Sequence, residues 1–411
     1  MQILYTIAIY MMKALISFGS LFNDKLKLGI EGRKETFRKL QQTIAETDKV
    51  FWFHCASLGE YEQGLPVFEQ LKEKHPEYKI VLSFFSPSGY EIRKNSKLAH
   101  VVVYLPLDTP KNAKKFLELV HPDFTVFVKY EIWINYLNII KKQSRRAILI
   151  SALFRDHQSF FKWYGDIFKN ALSAFEHIFV QDIRSELLLK RINYQNVTIA
   201  GDTRFDRVIQ NEKYTKHLDF VSSFINHKIC VVIGSSWPED EALWFHFINT
   251  NDMLDVKYII VPHNIDQPHI KTIKSKIQKP TAIYSESNEA ILKASQVLIV
   301  DTIGLLSSIY SYAQIAYVGG AVGTTGLHNI LEPAVFGIPI IIGNRIDKFP
   351  EATAMIKNGG VTSINDYQTF EQALNNLLLN PDYRNQLGAK NKNFIELNEG
   401  AVNRIISTTR I

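Results

Sequence analysis

Several short stretches of this chain place side chains where they could carry acid–base or anion chemistry. Ser57-Leu-Gly-Glu60 follows an apolar run, and a carboxylate at the end of such a run can act as a general base. The same residues also read as a capping box, in which Ser57 and Glu60 satisfy backbone donors at a helix start. A helix start would enhance the acidity of Glu60 and favour the ionised form that a base requires. Lys129 and Glu131 close another apolar run, two residues apart, as either a buried ion pair or a substrate clamp. Arg204, in Gly201-Asp-Thr-Arg-Phe-Asp206, could meet a phosphate or carboxylate; a surface pair with Asp206 is the plainer alternative. In the second half, Pro262-His263 ends a run, and His263 could bond a base or phosphate or stay solvated.

The richest stretch is Tyr317 to Pro339, which holds Gly319, Gly320, Gly323 and Gly326 before a helical pattern near His328. Glycine lets a backbone approach a ligand closely, and free N–H groups at a helix start suit a phosphate. Glu332, in the first turns of that helix, could accept hydrogen bonds from sugar hydroxyls. A tight turn with a surface glutamate is the competing reading, because Gly-rich turns alone are a weak signal. Ser88 with Glu91 and Ser236 with Glu239 form two further candidate capping boxes.

These residues need elements to hold them. Short β-rich apolar runs alternate with helical stretches from residue 50 onward: 50–56, 79–85, 101–105, 124–130, 147–151, 177–181 and 197–200. They restart at 229–234, 258–262, 282–284, 297–300, 315–318, 338–342 and, weakly, 361–364. Continuous apolar runs between helices predict parallel sheets covered on both faces, with ligands beyond the strands' carboxyl ends. The expected fold is therefore α/β, with two Rossmann-like, doubly wound domains. A length of 411 residues fits two domains of ~150–200 residues each. The boundaries read as an anchoring helix and basic segment (1–40), a first domain (41–210), a hinge (211–228), a second domain (229–390) and a C-terminal helix returning toward the first domain (391–411).

Composition narrows the function further. The chain is 46% hydrophobic and 21% charged, with a net charge of +6 too diffuse to predict nucleic-acid binding. Cys55 and Cys230 are its only cysteines, which excludes a disulfide framework or a cysteine metal site. No Asp-x-Asp pair exists to hold a divalent cation against a nucleotide diphosphate, and no metal ligand is assigned. Residues 1–22 carry one charge, Lys13, and lack a small-residue cleavage site. Gln2, Thr6, Lys13, Ser17 and Ser20 fall on one helical stripe, leaving a broad apolar face that can lie in a membrane interface. Lys25, Lys27, Arg33, Lys34, Arg38 and Lys39 follow, as anionic lipids on a cytoplasmic face would require. A monotopic anchor is preferred over a spanning one.

Two Rossmann-like domains with a nucleotide loop in the second are the layout of GT-B glycosyltransferases. The stretches Ser57–Glu60, Ser86–Glu91, Tyr104–Asp108, Glu131–Asn135, Gly201–Asp206, Asp301–Gly304 and His328–Pro333 resemble, in order, those of the 3-deoxy-D-manno-octulosonic acid (Kdo) transferases of lipopolysaccharide synthesis. That resemblance implies inverting, metal-independent transfer of Kdo from CMP-Kdo to a lipid A precursor, without a cofactor, on the cytoplasmic side of the inner membrane. It makes Glu60 the catalytic base. It makes Pro262, His263, Ile303, Gly304, Leu305, Asn329, Ile330, Leu331 and Glu332 the CMP contacts. Lys129 and Arg204 fall on positions credited with transition-state stabilisation, where many relatives carry glutamate and lysine respectively. The reversed sign at Lys129 leaves Glu131 as a candidate for that role. Leu305 replaces a frequent glutamate, and Leu327 and Ile330 replace a frequent glycine and proline. Two alternatives stand beside this reading: another GT-B enzyme using a UDP-sugar, as transferase or epimerase, and an inactive membrane-anchored scaffold of the same fold.

Overall fold

The computed structural model describes residues 2–409. It resolves into two compact units, residues 1–207 with 399–411, and residues 208–398. The division falls inside the helix Thr203–Lys213.

The first unit is built on seven parallel strands: β1 (Val50–Cys55), β2 (Lys79–Phe84), β3 (Val101–Tyr104), β4 (Phe124–Val128), β5 (Arg146–Ala152), β6 (His177–Val180) and β7 (Val197–Ile199). Their order is β3-β2-β1-β4-β5-β6-β7. Val, Ile and Phe dominate the inner strands because both sheet faces are covered, so neither face needs polar residues. One face packs Trp52, Phe116, Phe127, Tyr136 and Leu149; the other packs Phe51, Phe53, Phe68, Leu82 and Val126. The strand order reverses between β1 and β4. In open α/β sheets that switch point opens a crevice beyond the carboxyl ends.

The second unit repeats the plan with β8 (Ile229–Ser236), β9 (Val256–Pro262), β10 (Thr281–Ile283), β11 (Val297–Ile299), β12 (Ile315–Val318), β13 (Ile340–Gly343) and β14 (Val361–Ile364). Their order is β10-β11-β9-β8-β12-β13-β14, all parallel, with the reversal between β8 and β12. Each predicted run is a strand, with ends shifted by three residues or fewer. The doubly wound α/β class holds in both halves.

Two helical expectations need correction. The glycine stretch does not run into a helix at His328: the helix spans only Leu331–Ala334. The Asn329 side chain accepts from the Leu331 N–H at 3.1 Å, a local turn that competes with helix and delays its start. Asp206 does not pair with Arg204. Its carboxylate accepts from Gly400 N–H (3.0 Å) and Ala401 N–H (3.1 Å), capping the helix Ala401–Thr408 against the first unit.

The helix Gln2–Gly19 is long and apolar enough to cross a membrane by length and composition. Its anchor to the rest of the unit is Tyr5, whose hydroxyl donates to Asp108 at 2.7 Å, with Ile9 buried nearby. Thr6 and Ser20 of the predicted polar stripe lie on the partly covered side. Ile3, Leu4, Ile7, Tyr10, Met11, Leu15 and Phe18 are exposed.

Candidate active site

In the first unit, Glu60 follows β1 in the third position of the helix Leu58–Lys74. Only half of the predicted capping box forms. The Glu60 carboxylate accepts from the backbone of Ala56 and Ser57, while the Ser57 hydroxyl makes no capping bond. Glu60 is 9% exposed. Its acidity is not enhanced. Burial first, and then the charge of Glu131, push its pKa up to about 8, against the pull of the backbone donors and Lys129. The helix start is outweighed because desolvation of a carboxylate is worth several times a single helix end.

The switch point thus brings Glu60, Lys129 and Glu131 together, because β1 and β4 are neighbours. Lys129 sits directly after β4 with φ of +68°, a left-handed backbone that costs a non-glycine residue about 1–2 kcal/mol. Ser151, after β5, is likewise left-handed at +51°. Such outliers gather where a chain must turn sharply to aim side chains at one place.

Glu131 is not a simple ion-pair partner of Lys129. Its Oε2 accepts from Trp133 Nε1–H at 2.7 Å and lies 3.2 Å from Nε2 of a fully buried histidine, His54. His54 Nδ1 reaches Ser83 Oγ at 2.8 Å, and that hydroxyl also receives Trp52 Nε1–H at 2.7 Å. This network joins residues 29 and 77 positions apart and leaves almost no trace in the sequence. Its one signal was a histidine inside the otherwise apolar run Val50–Cys55.

Arg204 lies after β7, three strands from β4, yet the loop folds back toward the same place. Thr203 Oγ1 bonds Ser151 Oγ at 2.9 Å, and Asp202 accepts from Gln63, on the Glu60 helix, at 3.3 Å. Arg204 pairs with Asp202 through Nε (2.9 Å) and Nη2 (2.7 Å). Burial raises the Tyr130 pKa, Arg155 and Arg204 pull it down, and Glu60 pushes it up, so this ring lies within reach of both Glu60 and Arg204.

In the second unit, the carboxyl ends of β11, β9, β8 and β12 lie side by side and carry Ile303, His263, Trp237 and the glycine loop. His263 stacks on Trp237 with ring centroids 4.4 Å apart and lies 4.7 Å from His328. Trp237 Nε1–H donates to His328 Nε2 at 3.0 Å. Burial and His263 depress the His328 pKa to about 4, so this ring is neutral at physiological pH. Trp237 and His328 were not among the expected contacts, although both border motifs that were. The predicted box of Ser236 with Glu239 is displaced by one residue: Asp240, not Glu239, accepts from Trp237 N–H at 3.0 Å, and Ser236 bonds Glu241. Likewise Ser86, not Ser88, caps the helix Pro87–Arg93, and Glu91 accepts from Tyr104.

The loop 319–326 needs its glycines. Gly320 has φ of +96°, and a Cβ there would lie 2.0 Å from the Gly326 carbonyl oxygen; one at Gly319 would lie 2.4 Å from Ser235 O. Glu332 is half-buried and its Oε1 accepts from Asn329 Nδ2 at 3.1 Å. Ile303 is 84% exposed beside Gly304, itself at φ +90°. Leu305 is half-buried, preceding the helix Leu306–Tyr310. The side chains of Pro262, Ile330 and Leu331 are buried, so a ligand would meet only their backbone. Among the described residues, no cluster of three or more His, Cys, Asp or Glu is placed to hold a metal.

A family model described as 3-deoxy-D-manno-octulosonic-acid transferase (kdotransferase) matches residues 31–207. The chain is 26% identical to the 3-deoxy-D-manno-octulosonic acid transferase of Haemophilus influenzae, over 86% of this chain and 85% of that one. It is 25% identical to the protein of the same name from Chlamydia trachomatis serovar D, over 85% and 83%. Among solved structures, a UDP-GlcNAc 2-epimerase from Neisseria meningitidis superposes with a TM-score of 0.62 at 14% identity, covering 88% of this chain and 99% of that one. At that identity the likeness concerns the fold alone.

Proposed function

We propose that this chain works as the 3-deoxy-D-manno-octulosonic acid transferases it resembles, glycosyltransferases of lipopolysaccharide biosynthesis, and moves Kdo from CMP-Kdo to a hydroxyl of a lipid A precursor, with inversion and without a metal. The observation that carries this reading is the buried carboxylate Glu60 at the β1/β4 switch point, poised between Glu131 and Lys129. A carboxyl raised toward neutrality takes a proton from an attacking alcohol more readily than an ordinary surface glutamate. Inversion needs one such base on the acceptor side, because the leaving CMP is already a stable anion.

The second unit would receive the nucleotide. The neutral rings of Trp237, His263 and His328 offer a stacking and hydrogen-bonding surface for a base. The backbone N–H groups around 329–332 and the Glu332 carboxylate would meet phosphate and ribose respectively. Lys129 and Arg204, with Arg155, supply positive charge for the donor's carboxylate or the acceptor's phosphates. Electrostatic stabilisation of this kind is often the largest single contribution to a transfer rate.

The exposed apolar face of the helix Gln2–Gly19 supports membrane association at the cytoplasmic side. Between it and the next helix (Asp24–Thr43) lies a cavity of about 340 Å³ lined by Lys13, Ile16, Arg33, Lys34, Phe37 and Leu107. That mixture of cations and apolar carbons matches a phosphate-bearing lipid surface. Incubating the full chain with CMP-Kdo and a tetra-acylated lipid A precursor tests the proposal by mass spectrometry. A product heavier by one or more Kdo residues is expected. Absence of product with CMP-Kdo, but turnover of a UDP-sugar, would replace it.

A further inference from the structure

Three cations on the first two helices lack an acidic partner. Lys13, Arg33 and Lys34 line the cavity between the helices Gln2–Gly19 and Asp24–Thr43, and no Asp or Glu lines it with them. Among the described residues, none of the three forms an ion pair; Glu35, on the same helix as Arg33, pairs instead with Arg38 at 2.7 Å. Arg33 is the most enclosed of them. Its Nε–H donates to Leu105 O at 3.0 Å, an Nη1–H to Gly29 O at 2.9 Å and an Nη2–H to Phe85 O at 2.6 Å. Thr36 seats the helix by donating to Tyr104 O at 2.8 Å. A guanidinium has five N–H donors, so two remain, and neutral carbonyls leave its charge uncompensated. Burial accordingly lowers its pKa to about 10. A buried charge is costly unless paired. Here the cation is built in and its counter-ion is left for a ligand to supply.

The position ties this cavity to the rim that carries Glu60. Phe85 and Leu105 directly follow β2 and β3, at the carboxyl ends of the sheet. The Arg33 guanidinium lies 4.7 Å from the Phe85 ring centroid, and Phe85 lies 4.8 Å from the ring of Trp133, which holds Glu131. Ile16, Ile30, Phe37 and Leu107 supply apolar wall. Arginine with two free N–H groups, flanked by lysines, suits a phosphate more than a singly charged carboxylate. The apolar wall suits a phosphate carried on a hydrocarbon-bearing molecule. We propose that this cavity is a phosphate subsite for the lipid acceptor, with Arg33 as its fixed anchor and Lys13 and Lys34 as its outer cations. The proposal rests on the reading of the chain as a transferase to a lipid A precursor.

The test is calorimetric titration of the full chain, in neutral detergent, with three probes: the tetra-acylated lipid A precursor, the same molecule stripped of phosphate, and phosphatidic acid. The phosphorylated precursor should bind most tightly. Lys13 and Lys34 are exposed, so Lys13→Gln with Lys34→Gln leaves folding intact and should weaken that binding about tenfold or more. Arg33→Gln, where it folds, should lose the preference for phosphate altogether. Equal affinity for the two forms of the precursor, or an unaltered affinity in the double variant, overturns the proposal. Phosphatidic acid bound as tightly as the precursor would assign the cavity to the bilayer's own lipids and overturn the acceptor assignment. Kinetics give a second readout: the double variant should raise the KM for the acceptor about tenfold and that for CMP-Kdo by less than about twofold. An equal rise in both would mark a general loss of structure and count against the subsite. A parent chain that binds the phosphorylated precursor through these cations yet transfers no Kdo would defeat the transferase reading and leave the phosphate subsite standing, so the two failures are distinguishable.

Discussion

Asp240 and Gly320 stand 80 positions apart in the chain and are joined by a 2.9 Å hydrogen bond, the glycine N–H donating to the buried carboxylate. The same side chain accepts from Tyr317 Oη–H at 2.7 Å and Trp237 N–H at 3.0 Å. It therefore fixes the glycine loop and the Trp237 turn, the two sides of the β8/β12 switch point. Asp240→Ala would strand three donors, each costing about 1–3 kcal/mol when buried unpaired. A loss of at least ~3 kcal/mol in urea unfolding of the second unit is expected, with CMP-Kdo binding weakened tenfold or more by calorimetry. Unchanged stability would mean that the loop holds itself.

The pH dependence of stability reports on Glu60 directly. Its folded pKa of about 8 lies above the ordinary 4.5, so the folded state binds a proton that the unfolded chain releases. Such a group lowers stability progressively as pH rises from about 4.5 to 8, and the deficit is constant above that. Glu60→Gln removes it. The variant should match the parent near pH 4.5 and exceed it above pH 8 by on the order of 5 kcal/mol, read as a clearly raised Tm. Turnover should fall ~10²–10⁴-fold while CMP-Kdo still binds. A variant destabilised at pH 8 would contradict the raised pKa.

The fold was legible, as was the placing of the candidate residues beyond the strands' carboxyl ends, because both depend on local pattern. Apolar runs buried on two faces, such as Val50–Cys55 and Ile340–Gly343, leave no ambiguity of period, and the polar residues just beyond them mark the carboxyl ends. What stayed hidden depends on partners distant in sequence. His54 reads as one more core residue until β1 is set beside β4 and Glu131 arrives at its ring. The acidity of Glu60 was misjudged for the same reason: the helix start is visible locally, whereas burial and Glu131 are not. Asn329 bonding the Leu331 N–H postponed a helix that periodicity placed at His328.

Lys129 combines strain with charge, and the two can be separated. Glycine adopts φ of +68° freely, so Lys129→Gly should stabilise the first unit by up to ~1 kcal/mol by removing the strain. It also removes the cation that favours ionised Glu60, so transfer at pH 7 should drop while the rate at pH 9 is less affected. Lys129→Glu should lose more activity than Lys129→Gly at every pH up to 9, because a third carboxylate raises Glu60 further. Equal activity for the two variants would show that the charge at this position does not reach the base.

The exposed face of the helix Gln2–Gly19 makes the membrane reading testable without disturbing the fold. Leu15 and Phe18 are 69% and 66% exposed, whereas the helix is held from its other side by Tyr5 and Ile9. Burying one such side chain in a bilayer interface is worth about 1.5–3 kcal/mol. Leu15→Glu with Phe18→Glu should therefore weaken binding to vesicles containing anionic lipid by a hundredfold or more in flotation assays, with Tm unchanged in detergent-free buffer. Deleting residues 1–22 should abolish vesicle binding and cost little stability, since Asp108 keeps the Asn135 and Tyr136 N–H donors at 3.0 and 3.1 Å after losing Tyr5. Raised ionic strength should weaken the parent only in part, because salt screens Lys13, Lys34 and their neighbours but leaves the apolar contact intact. Persistent flotation of the deletion variant would place the membrane contact elsewhere on the chain.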